Sequence, residues 1–152
     1  MEIKYTITNV GEVEKPVGLR IMLDTMLGGN DAAPFRVPQY GSITMETEFV
    51  GEEIPQFWQA FDNLSNPSVI AQGRFYKSAD NKPDRVQFTN WNRVYNNSWG
   101  YSVNPSYSNG DSAVSVIWDE TVFQPNESRE YFTYYGLSEF TEDNCLCIRS
   151  FG

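Results

Sequence analysis

The stretch Val17–Pro38 constrains the fold of this chain more than any other. Its first part alternates apolar residues with other residues: Val17, Leu19, Ile21 and Leu23 are separated by Gly18, Arg20 and Met22. A period of two is that of a β-strand with one buried face. The alternation gives way to Gly28-Gly29-Asn30-Asp31. We therefore predict a strand that runs to about Leu27, is long enough to bend from one sheet into the other, and ends in an acidic, glycine-rich loop.

Segments with the same alternation recur along the chain, separated by residues that favour turns. In addition to the strand that begins at Val17, the predicted strands are Glu2–Val10, Ser42–Phe49, Pro67–Phe75, Arg85–Trp91, Ser112–Trp118 and Arg129–Leu137. The 10 Phe, 9 Tyr and 4 Trp residues suit pleated, half-buried surfaces. The pattern predicts an all-β fold of about eight strands, an antiparallel β-sandwich of immunoglobulin-like type. A mutarotase-like supersandwich is the alternative.

Three regions carry more specific expectations. Gly28–Pro38 is predicted to be a long connection, and Ile54–Leu64 an irregular or short-helical segment that places Trp58 and Phe61 in the core. A bend is expected after Trp118, at Asp119-Glu120. Within the strand Ser42–Phe49, the alternation assigns three side chains to the interior and three to solvent. The interior positions are Ile43, Met45 and Phe49, and the solvent-facing positions are Thr44, Glu46 and Glu48.

The length of 152 residues fits one domain, predicted to span residues 1–138. After Ser138 the pattern dissolves, and residues 139–152 are predicted to form a loosely docked or disordered tail. This tail holds the two cysteines, Cys145 and Cys147, whose CxC spacing closes almost no loop. The sequence leaves their role open.

Composition excludes several kinds of chemistry. Histidine is absent, so catalytic systems such as Ser-His-Asp and zinc sites that rely on imidazole are excluded. The net charge of −9 argues against nucleic-acid partners, which need clustered Lys and Arg. No apolar run approaches the ~20 residues of a membrane span. The start has no signal peptide, so an extracellular or cell-surface location implies a removed signal or a larger parent chain.

Three stretches together resemble a poorly characterised β-sandwich module found within larger bacterial surface or secreted proteins. They are VGLRIMLDTMLGGNDAAPF, FWQAFDNLSNPSVIAQGRF and GDSAVSVIW with QPNESREYFTYYGL. The resemblance covers most of residues 2–137 and implies the sandwich fold and an accessory role. It implies no catalytic residues.

A calcium site is the first candidate functional site. Asp24, Asn30 and Asp31, with the carbonyl groups of Gly28-Gly29, supply oxygen ligands of the kind that Ca²⁺ prefers. Glu52, Glu53 or Asp62 would complete the site from another loop. The alternative is that Asp24 and Asp31 hydrogen-bond backbone amides of the turn, as Asp and Asn commonly do. Ca²⁺ is the one cofactor under consideration, and the expectation is otherwise that there is none.

An aromatic platform is the second candidate site. Trp91, Tyr95, Trp99 and Tyr101 lie in or beside the segment Asn90–Asp111, which is rich in Asn and Ser and is longer than an ordinary loop. Exposed aromatic rings flanked by amides would suit the apolar faces and hydroxyl groups of a sugar. The alternative is that these rings pack in the core or against another protein.

The function predicted from the sequence is that of a non-catalytic accessory, structural or adhesion module of a larger bacterial protein. Its partners would be other domains of the parent chain, or a protein or carbohydrate ligand. A carbohydrate-binding accessory domain is the alternative. A glycoside hydrolase fragment using two carboxylates is a third interpretation, since some pair among the 20 acidic residues will fall at a catalytic distance by chance.

Overall fold

The protein is an antiparallel β-sandwich. A computed structural model describes residues 1–97, 99 and 101–138, so the predicted tail with Cys145 and Cys147 lies outside the described residues. Within them, ten strands form two sheets, and the predicted fold class is confirmed. The strands are β1 (Glu2–Thr8), β2 (Lys15–Asp24), β3 (Phe35–Val37), β4 (Gly41–Ile43), β5 (Thr47–Val50), β6 (Phe57–Phe61), β7 (Ile70–Arg74), β8 (Arg85–Asn90), β9 (Ser112–Phe123) and β10 (Ser128–Leu137).

The two sheets differ in size. The six-stranded sheet has the order β1-β10-β7-β6-β3-β4, and the four-stranded sheet has the order β2-β9-β8-β5. One α-helix, α1 (Trp91–Tyr95), follows β8 in the described part of the chain. None of the described helices is long and apolar enough to cross a membrane.

The core between the sheets is built around Trp58, whose side chain is almost fully buried. Its ring centroid lies 5.8 Å from that of Phe35 on the same sheet and 6.2 Å from that of Phe88 on the facing sheet. Tyr135 of β10 stacks on Trp58 at 5.7 Å. These edge-to-face and stacked contacts hold the sheets together through large apolar areas. Trp58 and Phe61 are both buried as predicted, but they lie on strand β6 and not on an irregular segment.

The predicted strand Ser42–Phe49 is in fact two strands in different sheets. β4 pairs with β3 in the six-stranded sheet, whereas β5 pairs with β8 in the four-stranded sheet. The chain crosses between the sheets at residues 44–46, and two side chains there differ from the prediction in their burial. Met45 is 39% exposed, whereas Glu46 is 1% exposed. β2, by contrast, pairs only with β9 and does not change sheet.

One further expectation was wrong, because the connection Gly28–Pro38 contains the strand β3, which pairs with both β4 and β6. β9 continues past Asp119-Glu120 to Phe123, but its pairing with β2 shifts register there. Asp119 and Glu120 stand opposite the single residue Gly18, which is a β-bulge at the position of the expected bend. The turn at Leu27–Asn30 follows the end of β2, and a pair of backbone hydrogen bonds closes it.

We predict that Gly73→Ala lowers the free energy of unfolding by about 1–3 kcal/mol. Gly73 lies opposite Trp58 in the β6–β7 pair, and a Cβ atom at residue 73 would stand 2.3 Å from the Trp58 indole. Because Trp58 is enclosed by other aromatic rings, it has no room to move away. Urea denaturation measures the change.

Gly110→Ala is the matched control, since a Cβ atom there meets nothing within 4 Å. A Gly73→Ala variant as stable as Gly110→Ala would contradict the tight contact between Trp58 and β7.

Candidate functional site

The outer face of the four-stranded sheet is covered by the described residues between β8 and β9, which are 91–97, 99 and 101–111 and which we call the β8–β9 segment. Side chains of β9 that alternate with core residues, and therefore point away from the core, are nevertheless buried: Ala113, Ser115 and Ile117. Val94 of α1 is buried too. The indole of Trp99 lies over Gly18 of β2, 2.6 Å from where a Cβ atom would be. The segment thus forms a third layer on this sheet.

A buried carboxylate fixes the β8–β9 segment to the sheet. Glu46, at the crossing between β4 and β5, accepts hydrogen bonds from four donors. Thr89 Oγ1 of β8 lies at 2.9 Å, Arg93 Nε of α1 at 2.8 Å and the backbone N–H of Asn104 at 2.7 Å. The fourth donor is the Tyr101 hydroxyl. Three of the four donors therefore come from the β8–β9 segment.

These hydrogen bonds decide the protonation of Glu46. Burial by itself raises the pKa of a carboxyl group, but the donors of Tyr101, Asn104, Thr89 and Arg93 outweigh it. They hold the pKa of Glu46 below its ordinary value of 4.5. Burial and the hydrogen bond to Glu46 raise the pKa of Tyr101. Glu46 therefore stays ionised and accepts the hydrogen bond, and Tyr101 stays neutral and donates it.

The four aromatic residues predicted as a carbohydrate platform do not form one surface. Trp91 and Tyr95 stack on each other on α1, with ring centroids 4.6 Å apart and an interplanar angle of 11°, and Tyr95 is 63% exposed. Trp99 instead packs on Gly18, and Tyr101 is 7% exposed and bound to Glu46. The structure therefore excludes Tyr101 from any exposed platform.

The candidate calcium ligands make the hydrogen bonds expected of a closed turn. Asp24 Oδ1 accepts from the Met26 amide at 3.3 Å, and Asn30 Oδ1 accepts from the Ala32 amide at 3.0 Å. Asp31 contributes its backbone carbonyl oxygen, which accepts from the Ser112 amide at 2.7 Å. The alternative drawn from the sequence therefore holds for Asp24, whereas Asp31 accepts through its backbone carbonyl and not through its side chain. Asn30 makes the same kind of side-chain hydrogen bond as Asp24.

Two of the acids expected to complete the calcium site, Asp62 and Glu52, have other partners. Asp62 accepts hydrogen bonds from Ser68 and the Val69 amide, and these lower its pKa. Glu52 pairs with Lys82 at 3.4 Å. Over residues 1–97, 99 and 101–138, no group of three or more Asp, Glu, Cys or His side chains is arranged to hold a metal ion.

The outer face of the six-stranded sheet remains uncovered by any described segment, and we call it the open face. Inward-pointing residues such as Trp58, Gly73 and Tyr135 fix which side chains of β6, β7 and β10 point outward. The strand registers align the outward residues in rows across the sheet, and two of these rows cross β10, β7 and β6. The arginine–aromatic row is Glu2, Tyr134, Arg74 and Phe57, and the amide row is Gly136, Gln72, Gln59, Arg36 and Ser42.

Two cavities open on this face, one on each half. The first, of about 500 Å³, is lined by Tyr134, Arg74 and Gln72 and lies where Gly136 leaves a notch without a side chain. The second, of about 420 Å³, is lined by Arg36, Gln59, Phe57 and the turn that joins β3 to β4. The central amides of the amide row, Gln72 and Gln59, are direct cross-strand partners between the two cavities. The open face is therefore a continuous, partly concave surface.

The charges on the open face are unevenly paired. Lys77 lies 3.4 Å from Glu2 and 4.1 Å from the Tyr134 ring centroid. The Arg74 side chain makes no hydrogen bond or ion pair with any described residue, and the Arg36 guanidinium packs 5.0 Å from the Phe61 ring without a carboxylate partner. Two arginines on this face thus have no carboxylate partner among the described residues.

The open face was missed at the sequence level, although a signal for part of it exists. The alternation in REYFTYYGL and FWQAF separates Tyr134 and Phe57 from the core residues next to them. It does not show that β10, β7 and β6 are neighbours, which is what brings Tyr134, Arg74 and Phe57 together.

No protein-family model matches this chain, and neither the curated proteins nor the solved structures contain a match.

We predict that Glu46→Ala lowers the free energy of unfolding at pH 7 by about 3 kcal/mol, because it leaves the buried donors around it without an acceptor. Glu52→Ala is the control, since its side chain is fully exposed in a surface ion pair, and it should change stability by less than about 0.5 kcal/mol. Urea denaturation compares the two variants.

The effect of Glu46 should depend on pH. A carboxyl group whose pKa is lowered on folding adds stability above its unfolded value, and this is lost as the pH falls through the folded value. The difference in stability between the wild type and Glu46→Gln should therefore shrink below about pH 4.5. A difference independent of pH between 7 and 3 would contradict a charged Glu46.

We predict that millimolar Ca²⁺ leaves the thermal midpoint of the EDTA-treated protein unchanged, because the turn already uses the side-chain oxygens of Asp24 and Asn30. An ion that binds only the folded state would raise the midpoint. A rise of several degrees that disappears in Asp31→Asn would instead support the calcium site.

Proposed function

We propose that this chain is a non-catalytic accessory or adhesion module of a larger bacterial surface or secreted protein, and that it makes its contacts through the open face. One observation carries this proposal: a described segment covers the outer face of one sheet, and none covers the outer face of the other. The β8–β9 segment covers the face of the four-stranded sheet, whereas no described segment covers the arginine–aromatic and amide rows on the other. The side chains of these rows are partly exposed, apart from the exposed Glu2 and Ser42 and the buried Gln59. Exposed side chains of this kind are typical of recognition surfaces.

The partners of the acidic side chains support the proposal that the chain is not catalytic. Glu46 is saturated by four donors that fix the fold. Within the two rows of the open face, the one carboxylate is Glu2, which pairs with Lys77. Glycoside hydrolysis by the usual mechanism needs two carboxyl groups about 5–9.5 Å apart across the bound sugar. The two rows offer no such pair.

The parent protein and its location rest on the sequence. The resemblance to modules of bacterial surface and secreted proteins favours a position beside other domains, outside the cell or on its surface. A β-sandwich can be joined to its neighbours at its ends while one sheet face stays free for a ligand. The open face has this position in the fold.

Carbohydrate binding is the second candidate function, and the composition of the open face favours it. Phe57 and Tyr134 offer aromatic rings, and Gln72 and Gln59 lie between the two cavities with groups that both donate and accept hydrogen bonds. Apolar surface with a few placed polar groups is typical of small-molecule and sugar sites. The interaction surface inferred from the structure is thus not the predicted Trp91–Tyr101 platform.

We predict that Gly136→Gln abolishes binding through the open face, because a side chain at this position fills the notch of the first cavity. The variant should fold normally, since the nearest neighbour of an added Cβ atom is the Met1 backbone nitrogen at 3.5 Å. Affinity electrophoresis of the chain in gels containing soluble xylan, glucan, mannan or polygalacturonate measures binding, and a reducing-sugar assay measures hydrolysis.

Gly110→Gln, in open space on the β8–β9 segment, is the matched control. A polysaccharide that retards wild type and Gly110→Gln but not Gly136→Gln supports the open face. Equal retardation of all three proteins would place binding elsewhere, and release of reducing sugar would overturn the non-catalytic assignment.

A further inference from the structure

The two unpaired arginines of the open face stand out in this chain. It has 20 acidic and 11 basic residues, so carboxylates are in excess. Six basic side chains among the described residues form ion pairs: Lys4, Lys77, Lys82, Arg85, Arg93 and Arg129. Arg36 and Arg74 have no carboxylate partner although they lie on the same face. Each keeps planar N–H donors available for an anion that is not part of the described chain.

The strand register gives the spacing of the two arginines. Arg74 is on β7 and Arg36 on β3, with β6 between them. Their Cα atoms are separated by two strand spacings of about 4.8 Å each and, along the strands, by two residues of about 3.3 Å each. The distance between them is therefore about 12 Å. This exceeds the Debye length of about 8 Å at physiological ionic strength. The arginines therefore repel each other little and can each bind an anion.

The groups around and between the arginines indicate what carries those anions. Phe57 and Tyr134 are the cross-strand neighbours of Arg74, and Gln59 is the neighbour of Arg36. A ligand that reaches both arginines crosses the Gln72–Gln59 pair. It must offer carboxylates to the guanidinium groups, apolar faces to the rings and hydroxyl groups to the Gln72 amide, which is more exposed than that of Gln59. A sugar polymer with carboxylate groups has all three.

We propose that the open face binds a carboxylate-bearing polysaccharide, with Arg74 and Arg36 each pairing with one carboxylate of the chain. This assignment rests on the open face being the contact surface, as proposed above. The fork of a guanidinium group matches the two oxygens of a carboxylate and forms two parallel hydrogen bonds. A nucleic acid fits less well, because it presents one charge about every 1.7 Å of duplex to a chain of net charge −9.

The test uses polygalacturonate as the probe and its fully methyl-esterified form as the neutral counterpart, both in EDTA. Affinity electrophoresis and isothermal titration calorimetry compare the wild type with Arg74→Gln, Arg36→Gln and the double variant. We expect each single variant to weaken binding about tenfold, in keeping with the loss of a charge-assisted hydrogen bond. Methyl esterification and 0.5 M NaCl should weaken wild-type binding at least as much.

Lys15→Gln is the matched control, because it removes one positive charge from the exposed start of β2 on the other sheet. It should bind polygalacturonate like the wild type. Equal losses in Lys15→Gln and Arg74→Gln would overturn the assignment, because they would show a response to net charge alone.

Other outcomes separate this inference from the proposed function. One such outcome is that a neutral glucan binds, that Gly136→Gln blocks this binding and that the arginine variants do not weaken it. In that case the open face is still the contact surface, but the carboxylate assignment fails. Polyglutamate binding as tightly as polygalacturonate overturns the polysaccharide assignment in favour of an acidic protein. If no polysaccharide binds, this inference fails together with the carbohydrate candidate.

Discussion

The buried carboxylate of Glu46 is the interaction on which the rest of the architecture depends. Removing a charge from water costs several kcal/mol unless donors replace the lost hydration. Three of its four donors belong to the β8–β9 segment, namely Arg93, Tyr101 and the Asn104 amide. The sheet crossing at residues 44–46 and the covering layer therefore stabilise each other. A chain that lost the layer would expose both the carboxylate and the outer face of the four-stranded sheet.

The open face is set by packing on the opposite side of the same strands. Trp58 fills the centre of the sandwich and requires the absence of a side chain at Gly73. Because side chains alternate along a strand, the residues on either side of Gly73, which are Gln72 and Arg74, must point outward. The core contact thus determines which residues of β7 a ligand can meet. The same reasoning places Phe57 and Gln59 outward on either side of Trp58.

The sequence predicts the parts of this fold that keep a regular period. β1, β2 and β10 alternate cleanly and were found close to their true positions. β3 and β4 have three residues each, which is too short to show a period. Periodicity predicts that Glu46 faces solvent, because the alternation assigns a side chain to a face but cannot show that the β8–β9 segment covers that face. Trp99 and Tyr101 read as exposed because their partners, Gly18 and Glu46, are far away in sequence.

The net charge of the chain restricts the ligands of a single face less than its size suggests. A value of −9 argues against dense polyanions, yet it does not fix the charge of each face. Repulsion between exposed charges fades beyond a Debye length of about 8 Å, whereas a bidentate contact acts at hydrogen-bond distance. An acidic chain with two unpaired arginines about 12 Å apart on one face is therefore suited to a ligand whose anionic groups are separated by a similar distance. The excess of acids elsewhere would then act against densely charged competitors at the same face.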